Sequence, residues 1–164
     1  MITIEPATRA DVPLILQFIK DLALYEKAPE AVVATEQLLE QNLFGERPYA
    51  EVIIAYYQAS PDQERKAAGF ALFFHNVSTW VGRPGLYLED PFVRPEYRGF
   101  GIGNKLLVQL AVIAKERDCG RYEWVVLDWN EPSRKFYEAM GARPQSEWLI
   151  HRVEGKSLDD LANM

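Results

Sequence analysis

The sequence predicts a mixed α/β domain in which helices cover a single β-sheet. Apolar residues recur at helical spacing in two long segments, 12–25 and 102–115. Short runs rich in β-branched and aromatic residues lie between turn residues, as expected of strands. The elements follow one another as helices, a hairpin and then strand–helix–strand–helix–strand, which favours one mixed sheet. The length of 164 residues is typical of one domain, so we expect residues 1–164 to form a single domain.

The chain begins with a predicted strand and helix. A short β-type run at 2–5 comes first. Asp11 is a candidate N-cap for a helix over 12–25, and Pro13 lies in the first turn, where a missing N–H costs nothing. The apolar face of this helix consists of Leu14, Ile15, Phe18, Ile19 and Leu22.

A second helix and a hairpin follow. The helix is predicted to begin at Thr35 and to end at Gly45. Residues 50–58 and 68–75 are β-rich, and the Ser-Pro-Asp-Gln sequence at 60–63 is typical of the turn between two strands.

The second half of the chain alternates strands and helices. Strands are predicted at 86–93, 122–127 and 147–153, and helices at 102–115 and 132–140. The run at 122–127 is almost continuously apolar, which is typical of a central strand buried on both faces. Gly141 is a favoured residue just past a helix C-terminus and ends the second of these helices.

Composition and charge exclude several classes of protein. Lys and Arg total 18 and Asp and Glu total 24, so the net charge of −6 argues against a broad basic surface for nucleic acid. No apolar run approaches the roughly 18 residues of a membrane span. The first residues do not form a secretory signal, so we expect a cytoplasmic protein without a membrane partner.

Cysteine and histidine usage predicts no metal site. Cys119 is the single cysteine, which excludes an intrachain disulfide and a cysteine-based metal cage. His75 and His151 have no neighbouring ligand pattern. We therefore interpret Cys119 as a packing thiol and expect no metal.

A glycine-rich turn lies between the strand at 86–93 and the helix at 102–115. Gly99, Gly101 and Gly103 allow close approach of a ligand to the backbone, and the helix N-terminus presents N–H groups and a positive dipole end. Arg98 adds a fixed charge. The spacing differs from the dinucleotide fingerprint and from the P-loop. It predicts a phosphate site or, alternatively, a turn that only connects strand to helix.

The pattern Arg98-x-x-Gly101-x-Gly103 resembles the pyrophosphate-binding motif of the GNAT acetyltransferases, which bind acetyl-CoA there. Further segments are similar to the diamine (spermidine/spermine) N-acetyltransferase family, and they lie at 22–26, 86–90, 129–133 and 136–142. The resemblance implies the GNAT acyl-CoA N-acyltransferase fold, a mixed, mostly antiparallel central sheet flanked by helices. It also implies acetyl-CoA as co-substrate, and a homodimer in which both subunits contribute to the substrate site.

The resemblance implies three groups of cofactor contacts. Backbone N–H groups of Phe92 and Val93 would bind the pantetheine arm. The turn would bind the pyrophosphate through Arg98, Gly99, Phe100, Gly101, Ile102, Gly103 and Asn104. Asn130 and Ser133 match the second cofactor motif, and they also suit a helix cap at Pro132, so both roles can hold.

Two side chains are candidates for the chemistry of acetyl transfer. The resemblance implies that Tyr137 lies near the sulfur of coenzyme A and acts as general acid, whereas without it an ordinary amphipathic tyrosine would be favoured. Glu89 and Asp90 end a strand and could hold a cationic amine and relay its proton through water. Because successive strand residues face opposite sides, only one of them can point into a cleft unless the strand is bulged. Glu89 is the preferred residue, and a solvated strand-end acid is the alternative.

The acceptor site is predicted from aromatic and acidic residues. Tyr25 and Glu26 match the substrate-binding end of the family's first helix, although Glu26 beside Lys27 also suits a solvated ion pair. Trp80 and Trp148 could line an amine pocket or pack in the core or a dimer.

The segments Ser78-Thr79-Trp80 and Leu127-Asp128-Trp129-Asn130 resemble the thialysine-type branch of the family. Glu123 departs from polyamine-type members, which can carry histidine there. We therefore hypothesise direct acetylation of a small diamine or lysine-like amino acid in a ternary complex. A protein or peptide N-acetyltransferase and a non-catalytic acyl-CoA-binding module are the alternatives.

Overall fold

The computed structural model describes all 164 residues and divides into two compact units, Met1–Val125 and Val126–Met164. The strands are β1 Ile2–Pro6, β2 Glu51–Tyr57, β3 Lys66–Ser78, β4 Arg83–Val93 and β5 Arg121–Trp124. The helices are α1 Val12–Tyr25, α2 Glu36–Phe44, α3 Ile102–Glu116, α4 Glu131–Ala139 and α5 Lys156–Ala162.

The first unit contains one five-stranded sheet in the order β1-β2-β3-β4-β5. The first four strands pair antiparallel, and β5 pairs parallel to β4. The prediction of a mixed, mostly antiparallel sheet flanked by helices is therefore confirmed.

Helices cover both faces of this sheet. On one face, Phe18 of α1 stacks on Phe70 of β3 at 5.1 Å between ring centroids and meets Phe92 of β4 edge-on. On the other face, Arg117 at the end of α3 lies over Phe73 of β3. Side chains alternate along a strand, so Phe70 and Phe73 mark opposite faces. We call them the α1 face and the α3 face.

A β-bulge interrupts β4 at Glu89. Leu72 and Phe73 are consecutive in β3, but their partners in β4, Asp90 and Leu88, are two positions apart. Glu89 is therefore an extra residue of β4 without a partner of its own in β3. A bulge turns the side chains around it away from simple alternation. The pairing of β4 with β5 also ends at this point, since the last pair between the two strands is Leu88 with Trp124. The rest of β4 has a strand neighbour on one side only.

Two strand predictions in the second half of the chain are wrong. The strand predicted at 122–127 is the shorter β5, and it lies at the edge of the sheet rather than in its centre. The segment 147–153 forms no strand, and its apolar side chains Trp148, Leu149 and Ile150 are exposed. Apolar character favours a strand, but a strand also needs a neighbour to satisfy its backbone hydrogen bonds.

The N-terminal helix has the predicted bounds, but Asp11 does not cap it through its side chain. The Asp11 carboxylate instead accepts hydrogen bonds from the backbone N–H and the hydroxyl of Thr8, at 2.7 and 2.8 Å. Asp11 therefore stabilises the turn that precedes the helix.

The second unit contains α4 and α5. Asn130 is buried and caps α4, since its side-chain oxygen accepts a hydrogen bond from the backbone N–H of Ser133 at 3.4 Å. Gly141 follows α4 with a φ of +91°, the left-handed conformation that glycine adopts without strain. None of the helices combines the length and apolar character needed to cross a bilayer.

Candidate active site

The glycine-rich turn leads from β4 into α3 and exposes the first amides of that helix. Gly99 and Gly101 have φ values of +83° and +80°, which strain any residue with a side chain. Gly101 precedes the first helical residue, and its carbonyl accepts the hydrogen bond of Lys105. The N–H groups of Ile102, Gly103 and Asn104 therefore lie before the first intrahelical donor. Such amides, at the positive end of the helix dipole, suit phosphate oxygens.

Arg98 lies beside this turn and contacts the end of α1. Its Nε donates a hydrogen bond to the carbonyl of Val93 at 3.1 Å. Its guanidinium lies 5.0 Å from the ring centre of Tyr25 and 5.8 Å from that of Phe92. Tyr25, which the sequence places in the acceptor site, therefore contacts the predicted phosphate-binding residue.

A cleft of about 530 Å³ opens between α1 and the segment that follows β4. Tyr25, Phe92 and Arg98 line it together with Asp21 and Arg94. Asp21 and Arg94 form an ion pair at 3.7 Å, and Arg94 also lies over the ring of Phe18. The sequence gives no sign of this pair, because Asp21 and Arg94 are 73 positions apart and match no motif.

Three carboxylates lie close enough together near the end of α1 to interact electrostatically. Asp90 lies on the α1 face, because it pairs with Leu72, which packs against the α1 core. Burial, together with the negative charges of Glu89 and Glu26, raises the pKa of the Asp90 carboxyl to about 6. Partial burial also raises the pKa of Glu26, which follows the last residue of α1. The structure thus brings together three predicted residues, and we call them the acidic cluster.

The bulge explains how two adjacent residues of one strand serve the same cluster. In a regular strand Glu89 and Asp90 would face opposite sides of the sheet. The extra residue at Glu89 breaks that alternation, and the Glu89 carboxylate acts electrostatically on Asp90. A cation entering the cluster would relieve the repulsion among these carboxylates.

The last residues of β4 lack a neighbour on the β5 side. Pro91 has no N–H. Arg94 donates its N–H to the carbonyl of Ala68, so the N–H of Phe92, two positions earlier, also faces β3, and the N–H of Val93 faces the open side. The Phe92 side chain is only 6% exposed and belongs to the α1 core. Part of Phe92 still lines the cleft, and its contact with a cofactor stays a prediction.

The predicted residues of the second unit lie on and around α4. Ser133 and Tyr137 are four positions apart, so they share one face of the helix, and both are half-buried. The ring of Tyr137 also contacts the ring of Phe136 at 5.6 Å between centroids. Trp148 is 67% exposed in the segment between α4 and α5.

Trp80 does not join the acidic cluster. It lies in the turn between β3 and β4 and is 89% exposed. Leu72 is the partner of Asp90, and Ser78, the last residue of β3, lies six positions further along. Six residues span about 20 Å of strand, so the turn that carries Trp80 is far from the acidic cluster.

The chain is similar in sequence and in structure to proteins of one known family. The sequence model of the acetyltransferase (GNAT) family matches residues 19–142. The chain is 36% identical to the thialysine N-epsilon-acetyltransferase of Bos taurus, over 98% of this chain and 97% of the relative. It is 33% identical to an L-ornithine N5-acetyltransferase of Arabidopsis thaliana, over 96% of this chain and 86% of the relative. A solved integron cassette protein from V. cholerae has a TM-score of 0.78 at 30% identity, over 99% and 98% of the two chains.

Proposed function

This chain belongs to the GNAT acetyltransferase family, and we propose that it acetylates the primary amine of a small diamine or lysine-like amino acid. The acetyl group comes from acetyl-CoA, and the amine attacks it directly in a ternary complex. The observation that carries the proposal is the acidic cluster of Glu26, Glu89 and Asp90, which lies in the same unit as the phosphate-binding turn. A site with three carboxylates suits a cationic acceptor.

The chain offers the groups that acetyl-CoA requires. Amides at the start of α3 and the Arg98 guanidinium suit a pyrophosphate, and the backbone of Val93, on the side of β4 without a strand neighbour, suits the pantetheine arm. Asn130 and Ser133 are further proposed contacts of the cofactor. Acetyl-CoA supplies a thioester whose carbonyl carbon is open to attack by an amine.

The acceptor must lose a proton before it can react. An alkylammonium has a pKa near ~10.4 and is not a nucleophile. In our proposal Asp90 holds the ammonium, and Glu89, which is exposed at the bulge, assists deprotonation by passing the proton through water to bulk solvent. A carboxyl with a pKa of about 6 is largely ionised at neutral pH, so Asp90 can play this part.

Tyr137 completes the proposed mechanism as general acid for the departing thiolate. This role rests on the family resemblance of the sequence around α4. It is supported by the shared helix face of Ser133 and Tyr137, because a cofactor contact at Ser133 would have Tyr137 one turn away.

Two further expectations belong to this proposal. The family match spans both compact units, which supports a single functional domain over residues 1–164. The exposed tryptophans Trp80 and Trp148 suit a homodimer in which each subunit contributes to the acceptor site of the other.

A panel of amines tests the substrate class. Purified protein is expected to release thiol from acetyl-CoA fastest, by kcat/KM, with thialysine, lysine or ornithine, and more slowly with putrescine, spermidine or a lysine-containing peptide. The relatives support this order, since their names specify thialysine and ornithine, both amino acids with a side-chain amine. Preference for the peptide would favour the protein acetyltransferase. Acetyl-CoA binding without turnover of any amine would favour a non-catalytic binding module.

Substitution of Gly101 tests the cofactor site. Gly101→Ala is expected to weaken acetyl-CoA binding about tenfold, because a left-handed alanine costs roughly 1–2 kcal/mol and distorts the amides of α3. Gly82→Ala is the matched control, since Gly82 has a φ of +69° and equally open surroundings in the turn between β3 and β4. Titration calorimetry should show wild-type affinity for acetyl-CoA in Gly82→Ala. Thermal unfolding should show that Gly82→Ala and Gly101→Ala are destabilised to a similar extent. Equal acetyl-CoA affinity in the two variants would contradict this assignment.

A further inference from the structure

A second polar cluster lies on the α1 face of the sheet, beyond the acidic cluster. Asn76, Gly85 and Arg121 form one row across β3, β4 and β5. Phe74, Tyr87 and Glu123 form the row nearer to the acids. Phe74 and Asn76 follow Leu72 at intervals of two, so both rows share the face that carries Asp90.

The Glu123 carboxylate is held in place by two neighbours. Its Oε1 accepts a hydrogen bond from Asn76 Nδ2 at 2.7 Å and lies 3.1 Å from Arg121 Nε. Arg121 is itself fixed by a hydrogen bond from Nη2 to the carbonyl of Val77 at 3.2 Å. Both contacts to the carboxylate use the same oxygen, so Oε2 is left to accept a hydrogen bond from a ligand.

Gly85 lets this arrangement form. A Cβ at Gly85 would lie 2.2 Å from Asn76 Oδ1 and 3.0 Å from Arg121 Cγ. The side chains of Asn76 and Arg121 therefore close over the glycine from the two neighbouring strands. The result is a carboxylate and a guanidinium side by side, each about two-fifths exposed, at 39% and 40%.

The spacing between the two clusters matches the length of a lysine-like acceptor. The row of Glu123 is two residues along β3 from the row of Asp90 and one strand away, so the two backbone positions are about 8 Å apart. An extended lysine places its side-chain nitrogen about 6 Å from its α-carbon. Phe74 and Tyr87 lie between the clusters with ring centroids 5.0 Å apart and offer an apolar floor for the methylene chain.

We propose that Glu123 and Arg121 form the subsite for the α-amino and α-carboxylate groups of the acceptor. The inference rests on the proposed function and names the acceptor as an α-amino acid with a side-chain amine. Glu123 binds the α-ammonium, Arg121 binds the carboxylate, and the acidic cluster binds the ammonium that is acetylated. Asn76 is a positioning residue that orients Glu123.

Charge complementarity separates this acceptor from a polyamine. The acidic cluster is anionic, whereas Glu123 and Arg121 together are neutral and offer one charge of each sign. A zwitterionic head group matches both charges. A polyamine presents only cations, so its second ammonium would meet Glu123 but would also be repelled by Arg121.

Kinetics with two matched substrates test the subsite. Thialysine is compared with bis(2-aminoethyl) sulfide, which has the same chain without the carboxylate. Arg121→Gln is expected to raise KM for thialysine about tenfold with little change in kcat, and to leave KM for the diamine unchanged or lower. Glu123→Gln is expected to raise KM for both substrates. Arg121→Lys, which keeps the cation, should restore most of the preference for thialysine.

The controls separate this inference from the proposed function. Arg83→Gln removes an exposed arginine at the start of β4 whose partner is Asp118, and it should leave both KM values unchanged. An unaltered ratio of kcat/KM for the two substrates in Arg121→Gln would overturn the inference, even with an active enzyme. If the wild type acetylates no amine, the proposed function fails. Calorimetric binding of thialysine in the presence of coenzyme A then decides the subsite, since equal affinity for wild type and Arg121→Gln would overturn it.

Discussion

Replacement of Tyr137 by phenylalanine is expected to lower kcat for acetyl transfer by about 10²–10⁴-fold, the usual contribution of a general acid. Phenylalanine keeps the ring, and so retains the contact with Phe136 and the packing of α4. It lacks only the hydroxyl that would protonate the departing thiolate. We therefore expect acetyl-CoA affinity and thermal stability close to those of the wild type.

Steady-state kinetics at saturating acetyl-CoA, together with calorimetric titration of acetyl-CoA, measure this effect. Tyr49→Phe is a suitable control, because Tyr49 is an exposed tyrosine outside the proposed site. Unchanged turnover in Tyr137→Phe would remove Tyr137 from the chemistry. A large loss of acetyl-CoA affinity with normal kcat would instead assign the hydroxyl to cofactor binding.

Replacement of Asp90 by asparagine is expected to make the protein more stable and much less active. The pKa of Asp90 is raised from 3.8 to about 6 by burial and by two neighbouring carboxylates. In the folded protein the ionised form is therefore disfavoured. Below pH ~4 the carboxyl is protonated in the folded and the unfolded protein, so it does not reduce the free energy of unfolding. As the pH rises through about 6, the free energy of unfolding falls, because the unfolded protein releases this proton more readily than the folded protein.

Denaturant titration at pH 7 measures the gain in stability. Asparagine carries no charge, so Asp90→Asn should raise the free energy of unfolding by roughly 1–3 kcal/mol. The difference between variant and wild type should shrink below pH ~4, where the wild-type carboxyl is protonated. A gain that is independent of pH would contradict this explanation.

The loss of activity should appear in the acceptor kinetics. We expect kcat/KM for the amine to fall by about 10² or more in Asp90→Asn, since a buried charge partner of the ammonium is removed. In the wild type, kcat/KM should fall as the pH drops through about 6, because the protonated carboxyl no longer attracts the ammonium. A wild-type profile without this acidic limb would contradict the role of Asp90.

Glu89→Gln separates the roles of the two acids. Its charge raises the pKa of Asp90, so its removal should move the acidic limb of kcat/KM to lower pH. If Glu89 also relays the proton, the pH needed for full kcat should rise, because the amine must then lose its proton without assistance. An unchanged kcat profile would leave Glu89 with an electrostatic role only.

Local sequence patterns predicted much of this structure. Helix α1 has the predicted bounds, and α3 is one residue longer than predicted. In the glycine-rich turn, Gly99 and Gly101 adopt the left-handed conformation that glycine tolerates, and Gly103 lies within α3. These features depend on interactions between residues close in sequence, such as helical spacing, a proline in the first turn and glycine at a positive φ.

The pairing of strands that are distant in the chain could not be predicted from the sequence. Nothing in the residues around Glu89 specifies that they bulge against Leu72 and Phe73. The segments 122–127 and 147–153 have similar apolar character, yet one yields a short edge strand and the other none.

The sequence by itself determined the fold class, the cofactor motif and the residue types needed for acetyl transfer to an amine. Only the tertiary structure decided which of these residues meet. It brought Glu26, just past the end of α1, close enough to Asp90 to raise its pKa, and it brought Asn76 of β3 into contact with Glu123 of β5, beside Arg121. The physical reason is register: a shift of one residue between strands moves every side chain to the opposite face, and the pattern along a single strand does not encode its alignment with its neighbours.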